Sequence, residues 1–217
     1  MPRLTPPATV TVADAAPRGL ASCPGLPAPR RAVPGSWRLR LVFASVAIAG
    51  ISACSTRGPV MQPFSQAALP DVVKVPAGHR VALETAASGD ITYECRPKKD
   101  MAGQFEWVFV GPAAGLRDRQ GMRVGKYFGP PATWESDDGS KVTGAQVAVA
   151  STGAADIPLQ LVKANPATGA GVMQGVTYIQ RVNTRGGVAP VSPCTTASIG
   201  HTQRVAYAAD YVFWRSQ

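Results

Sequence analysis

Apolar and polar residues alternate in short runs from residue 72 to the end of the chain, a pattern that is typical of β-strands. In residues 104–110 the alternation places three aromatic residues on one face, namely Phe105, Trp107 and Phe109. In residues 204–213 it places five residues on one face, namely Val205, Tyr207, Ala209, Tyr211 and Phe213. Trp214 then breaks the alternation.

Turn residues separate these runs at intervals of roughly 8–15 residues, which favours a sandwich or a barrel. We predict turns at Ser88–Asp90, near Gln120–Gly121 and at Asp138–Gly139, where the glycine suits a hairpin that needs a positive φ. The prediction is an all-β fold: a single-domain antiparallel β-sandwich or barrel-like fold of roughly eight to ten short strands over residues 72–217.

A compact apolar run, Leu41–Ala53, interrupts the amino-terminal part of the chain. As a helix it would span about 20 Å, short of the roughly 30 Å of a bilayer core. With Arg38 and Arg40 before it, the run is typical of a signal peptide. Its last three residues and the cysteine that follows, Ile51–Cys54, resemble the lipobox of bacterial lipoproteins, which makes Cys54 the predicted lipidation site. The alternative is an ordinary secretory signal with a chance cysteine.

The predicted organisation follows from this signal. Residues 1–53 are a leader plus a lipoprotein-type signal peptide, and we interpret residues 1–32 as a mis-assigned start or an unstructured leader. Residues 54–71 are a polar, proline-containing tether, and residues 72–217 form the β-rich domain. The expected location is the periplasmic face of the cell envelope, and Ser55 is typical of outer-membrane lipoproteins, so the membrane is an expected partner through the anchor.

The net charge of +9 does not indicate a nucleic-acid partner. Six Arg and one Asp precede Cys54, and the charges of the remaining chain are scattered, with Lys98–Lys99 as the longest basic run. A nucleic-acid binder usually clusters such charges in a stripe. We therefore expect no nucleic acid among the partners.

Four cysteines divide by position. Cys23 lies in the leader and Cys54 in the lipobox, which leaves Cys95 and Cys194 in a compartment that oxidises thiols. A disulfide between these two is the favoured interpretation, and two buried thiols are the alternative.

Residues with catalytic potential are sparse and poorly spaced. His79 and His201 have no second ligand at metal-binding spacing, so we predict no metal and no cofactor. Asp137 and Asp138 are adjacent in a turn, where solvated carboxylates are common, although paired acids also cleave glycosides. Ser140 lacks a nucleophile motif.

The segment Gln180–Gly187 is the densest group of hydrogen-bonding residues at the end of an apolar strand. One hypothesis is a contact site for a polar ligand or partner, formed by Arg181, Asn183, Thr184 and Arg185, with Trp134 and Asp137 as further candidates. The other is a sheet corner in which Arg181 pairs internally, for example with Asp210 or Glu135.

Several segments together resemble a bacterial and fungal family catalogued as domain of unknown function 3455. They include Ile179–Thr184 with the glycines that follow Arg185, and the Trp-x-x-x-Asp-Gly-Ser segment Trp134–Ser140. The resemblance runs from about Pro76 to Trp214 and implies an exported protein whose two remaining cysteines match paired positions in members. It implies no activity. Members often carry a histidine before the Gly-Pro of the middle segment, where this chain has Lys126–Phe128.

These observations favour a lipid-anchored envelope protein that acts as a binding or envelope-interaction module, with an unknown small molecule or envelope component as its partner. The alternative is a cofactor-free extracytoplasmic enzyme such as a hydrolase. An enzyme needs convergent titratable groups in a concave site, whereas a binding module can use aromatic and arginine contacts alone.

Overall fold

Eight antiparallel strands close into a barrel in the computed structural model, which describes residues 62–217. The strands are β1 His79–Pro97, β2 Phe105–Arg117, β3 Arg123–Phe128, β4 Thr133–Ser136, β5 Lys141–Ala150, β6 Leu159–Ala164, β7 Val176–Gly186 and β8 Thr202–Ser216. Two short 3₁₀ turns, Asp71–Val73 and Thr196–Ser198, complete the regular structure of these residues. The predicted all-β, barrel-like fold is therefore confirmed.

Each strand pairs with the next along the chain, and β8 returns to pair with β1. The closing ladder is long, running from His79 opposite Ser216 to Glu94 opposite Thr202. Two of the predicted turns are confirmed, since Gly121 and Gly139 lie between strands with φ of 81° and 88°. These positive φ values explain why glycine stands at both positions.

The turn predicted at Ser88–Asp90 is wrong, because β1 continues through it as one strand. Gly89 pairs with Ala114 on one side and with Tyr207 on the other. A Cβ at Gly89 would overlap the carbonyl oxygen of Ala113. The glycine therefore permits the close approach of β2 and does not reverse the chain.

Alternate residues of the strands project into the barrel interior, with aromatic rings at its centre. Trp134, Tyr211 and Phe213 are fully buried there, and the Tyr127 ring stacks on Trp134 with 4.8 Å between ring centroids. The aromatic face predicted for β8 thus points inward.

A second apolar cluster lies on the outer surface, where residues 62–75 cover β6, β7 and β8. Phe64 meets the Trp214 ring edge-on at 6.1 Å. Gln180 donates to the carbonyl of Val73 at 2.7 Å and accepts from Trp214 Nε1 at 2.9 Å. Trp214 breaks the alternation because it packs under this segment, so residues 62–71 of the predicted tether lie against the barrel.

Within residues 62–217, no helix combines the length and the apolar character that a membrane crossing requires.

Candidate functional site

Arg181 on β7 points into the barrel. It lies opposite Tyr211 of β8 and Gln160 of β6, and directly paired residues project from the same face of a sheet. Its Nε and Nη2 donate to the carbonyl oxygen of Pro158 at 3.1 and 2.9 Å. The side chain is half-buried, and within residues 62–217 the carbonyl of Pro158 is the one acceptor that its five N–H groups reach.

Arg181 has no carboxylate partner within residues 62–217. The internal pairing suggested from sequence is wrong for both named acids. Asp210 accepts from Asn183 Nδ2 at 2.6 Å on the outer face. Glu135 pairs with Lys126 at 3.2 Å and with Lys141 at 3.1 Å. Burying a charge without an opposite charge beside it is costly, so the missing partner makes Arg181 a candidate binding residue.

Three tyrosines and one tryptophan surround the same interior region, and we call this group with Arg181 the Arg181 cluster. Its members are Arg181, Tyr127, Trp134, Tyr207 and Tyr211. The Tyr127 and Tyr211 rings lie 4.9 Å apart, and the Trp134 ring meets Tyr211 edge-on at 5.5 Å. The positive charge of Arg181 acts to lower the pKa of all three tyrosines, so the charge lies near their hydroxyls.

Three buried polar atoms of the cluster have no hydrogen-bond partner within the described part of the chain: Trp134 Nε1, Tyr207 Oη and Tyr211 Oη. The Tyr211 hydroxyl lies close enough to those of Tyr127 and Tyr207 for hydrogen bonding to influence their pKa values, but neither Tyr207 Oη nor Tyr211 Oη makes a hydrogen bond of good geometry in residues 62–217. Buried polar atoms are almost always paired in folded proteins, so each such atom calls for water or a ligand.

Burial is the largest influence on the three tyrosines, and it raises the pKa of Tyr127, Tyr207 and Tyr211. The opposing influence of the Arg181 charge is smaller in each case. All three hydroxyls are therefore protonated at neutral pH and can donate hydrogen bonds. Because Trp134 Nε1 and the guanidinium are also donors, the cluster is rich in donors and carries a single positive charge.

An opening in the wall lies beside this cluster. β4 has four residues and pairs with β5 only through Thr133–Glu135, opposite Lys141–Thr143. Among the described residues, no strand pairs with the rest of β5 on that side. The exposed Gln146 lies in this unpaired part and accepts at 2.7 Å from Gln160, the neighbour of Arg181 across the β6–β7 ladder. The two amides thus connect the surface with the cluster.

The opposite end of the barrel is closed by residues 165–175, which we call the plugged end. Asp138 accepts from the backbone N–H of Val172 at 2.8 Å and from the Ser140 hydroxyl at 2.6 Å. The Ser140 hydroxyl in turn accepts from the backbone N–H of Met173 at 3.1 Å, and Met173 is buried. These hydrogen bonds, the one from Ser140 first, hold the pKa of Asp138 well below its usual range.

The six predicted contact residues do not form one site. Arg181 and Trp134 both project into the barrel, where Tyr211 is a neighbour of each, whereas Arg185 is exposed on the outer surface beside the Asn183–Asp210 pair. Asn183 has a φ of 50° at a register shift between Val182 and Arg185, which redirects the strand.

The last two predicted contact residues lie apart from these. The Thr184 hydroxyl lies 3.3 Å from that of Thr152. Asp137 is exposed at the plugged end, 3.8 Å from Arg123.

Sequence reasoning missed the three tyrosines as site residues. The one sequence pattern that pointed to them is the alternation in β8, which places Tyr207 and Tyr211 on the same face of the strand. It could not show that this face also meets Arg181, because the register between β7 and β8 depends on the bulge at Asn183.

The disulfide between Cys95 and Cys194 is confirmed, with an S–S distance of 2.01 Å. It joins β1 to the segment between β7 and β8, which lies at the Arg181 end of the barrel. In the same segment, the carbonyl of Gly187 accepts from the Tyr93 hydroxyl at 2.7 Å. The lipidation site predicted at Cys54 falls outside the described residues.

No metal-binding constellation stands out in residues 62–217, since no three His, Cys, Asp or Glu side chains are grouped so that they could hold an ion. The absence of a cofactor stays a prediction.

The family described as "Protein of unknown function (DUF3455)" has a sequence model that matches residues 76–215 of this chain. The chain belongs to this family. The match spans all eight strands of the barrel apart from the last residue of β8, so the DUF3455 assignment and the closed sheet describe the same unit. No curated protein and no solved structure matches the chain.

Proposed function

We propose that this chain is a binding module that holds a small ligand inside its barrel, at the Arg181 cluster. One observation carries the proposal: Arg181 points into the barrel without a carboxylate partner in residues 62–217, and the same interior region holds three buried polar atoms that have no hydrogen-bond partner in those residues. A few convergent polar groups among aromatic walls are typical of small-molecule sites, and such sites occur in the mouths of β-barrels.

The cluster favours binding over hydrolysis. Acid–base catalysis needs a group that exchanges protons near neutral pH, within hydrogen-bond reach of the substrate. Arg181 bonds only to the Pro158 carbonyl in the described chain, and burial raises the pKa of the tyrosines further from neutrality. The hydrolase alternative therefore receives no support from this site.

The proposed module is exported and anchored in the cell envelope. The Cys95–Cys194 disulfide supports a location outside the cytoplasm, because such bonds persist in oxidising compartments. The apolar run Leu41–Ala53 and the lipobox-like Ile51–Cys54 support processing and lipidation at Cys54. Membrane fractionation of the expressed full chain tests this part: the wild type should be in the membrane fraction, and Cys54→Ala should release it. Equal distribution of both forms would contradict the anchor.

Thermal unfolding of the full chain against a ligand panel tests the binding proposal. The panel contains sugars, peptidoglycan fragments, organic acids, phosphates and lipids. A ligand that binds only the native state raises the unfolding temperature with its concentration. We expect stabilisation by one class, and we expect Tyr211→Phe to weaken it.

Tyr178→Phe is the matched control, because Tyr178 lies on the outer surface under Lys163. If the ligand stabilises Tyr211→Phe and Tyr178→Phe as much as it stabilises the wild type, it binds outside the Arg181 cluster. A panel without any stabilising compound would contradict the binding function itself.

A further inference from the structure

We propose that the ligand of the Arg181 cluster is a small organic monocarboxylate, an inference that rests on the binding function proposed above. The cluster offers mainly donors to a ligand. They are one guanidinium and one indole N–H, which only donate, and the protonated hydroxyls of three tyrosines, which can also accept. A ligand with acceptor atoms therefore matches the cluster best, and a carboxylate brings two oxygens that only accept.

The guanidinium has a free edge for such a group. Only Nε and Nη2 of Arg181 make hydrogen bonds within residues 62–217, and both go to the carbonyl of Pro158. The Nη1 group and the second Nη2 proton stay available, and they project side by side in the plane of the guanidinium. This arrangement suits the two oxygens of a planar carboxylate, which arginine binds through parallel hydrogen bonds.

The charge of the cluster favours a ligand that carries a single negative charge. Arg181 supplies one positive charge, and the neighbouring tyrosines are neutral because burial raises their pKa. No second cation bonds to the cluster in the described chain. A monoanion would be neutralised there, whereas a dianion such as a phosphate monoester would leave one charge uncompensated in a region of low dielectric constant.

The surroundings limit the rest of the ligand to a small and partly apolar group. The plugged end closes one direction, with Met173 buried in it. The Tyr127–Trp134 stack forms an aromatic wall beside the cluster. Gln160 and Gln146 line the opening beside β5, so a polar substituent of the ligand could reach their amides there.

Calorimetric titration of the full chain with matched compounds tests the inference. Each set contains a carboxylate, its primary amide and its methyl ester on the same skeleton, for example benzoate, benzamide and methyl benzoate, with short-chain acids and their amides as a second series. Phenyl phosphate supplies the dianion. We expect the acid to bind about tenfold or more tightly than its amide, because hydrogen bonds to a charged group are stronger than neutral ones.

Two arginine variants make the test specific. Arg181→Gln should remove the preference for acid over amide, and Arg185→Gln should keep it, because Arg185 lies on the outer surface of the same strand. Since Arg181 also holds the Pro158 carbonyl, its loss could disturb the fold. Tyr207→Phe provides a second variant: it deletes an unpartnered hydroxyl, keeps the ring and should weaken acid binding several-fold.

The outcomes separate the two proposals. If amides or esters bind as tightly as acids, or if the dianion binds best, the monocarboxylate is wrong while the binding function stands. The same holds if a neutral sugar or lipid is the class that binds at the cluster. If nothing in the wider panel binds, the binding function fails as well. An acid preference that persists in Arg181→Gln and in Tyr207→Phe would also overturn the inference.

Discussion

The two ends of the barrel differ in how far their polar groups are satisfied. At the plugged end, Asp138 and Ser140 bond to each other and to the backbone of residues 172–173. The buried side-chain atom at that end without a partner in residues 62–217 is Arg215 Nε, although the same guanidinium donates to the carbonyl of Val172. At the other end, Arg181 has no carboxylate and two tyrosine hydroxyls have no partner within the described chain. A satisfied network stabilises the fold, whereas an incomplete one indicates that a partner from outside completes it.

The contrast predicts that variants at the plugged end change stability, whereas variants that remove the unpartnered hydroxyls change ligand affinity. Groups at the plugged end already make their hydrogen bonds in the free protein, so their loss should lower the free energy of unfolding. The hydroxyls of Tyr207 and Tyr211 have no partner of good geometry in residues 62–217, so their removal should lower affinity and leave the stability of the free protein nearly unchanged.

The largest expected effect concerns the disulfide, which holds the Arg181 end of the barrel. Replacing both Cys95 and Cys194 by alanine removes a crosslink between residues 99 positions apart. The free energy of unfolding should fall by up to about 4–5 kcal/mol in the chain-entropy account. Denaturant unfolding measures this loss. A loss below about 1 kcal/mol would mean that other contacts hold the segment between β7 and β8 in place.

The next prediction removes one hydroxyl from each end. Ser140→Ala leaves the buried N–H of Met173 without its acceptor and should cost about 1–3 kcal/mol. Tyr207→Phe deletes a hydroxyl that has no partner in residues 62–217, so it should change stability by less than about 0.5 kcal/mol or increase it. Denaturant unfolding of the two variants in parallel measures both. Equal losses would remove the distinction between the ends.

The two ends should also respond to opposite extremes of pH. The pKa of Asp138 is lowered in the folded state, so its contribution is complete above the unfolded-state pKa and is lost as the pH falls below about 4. The pKa values of Tyr207 and Tyr211 are raised, so their contribution is complete below the unfolded-state pKa and is lost as the pH rises above about 10.

Variants separate these two limbs of the pH–stability profile. Asp138→Asn should flatten the acid limb and leave the alkaline limb unchanged. Combined Tyr207→Phe and Tyr211→Phe should make only the alkaline limb shallower, and the remaining slope should come in part from Tyr93 and Tyr127, whose pKa values burial also raises. Unfolding temperatures measured between pH 3 and 11 on the three proteins would check this, and a change in the wrong limb would contradict the assignment.

The smallest effects belong to two residues that lie outside both networks. Arg185→Ala on the outer surface and Asp137→Ala in the exposed turn should each change the free energy of unfolding by less than about 0.5 kcal/mol. Neither should alter ligand affinity. A clear loss of affinity in Arg185→Ala would move the site from the barrel interior to the outer face of β7.

The sequence predicted the fold better than the site, for a physical reason. Local alternation and turn glycines define strands, and they identified most of the barrel. The turn predicted at Gly89 is wrong because a glycine that admits a neighbouring strand looks the same in sequence as one that reverses the chain. The site depends on which strands become neighbours: Tyr127 lies 54 positions before Arg181, and no local pattern brings them together.

The most direct measurement of the central claim follows the indole N–H signals of the ¹⁵N-labelled protein during ligand titration. Trp134 Nε1 has no partner in the described chain, whereas Trp214 Nε1 bonds to Gln180 and Trp107 Nε1 to the carbonyl of Ser192. A ligand in the barrel should shift the Trp134 signal and leave those of Trp214 and Trp107 in place. A bound ligand that shifts Trp214 or Trp107 but not Trp134 would contradict an interior site.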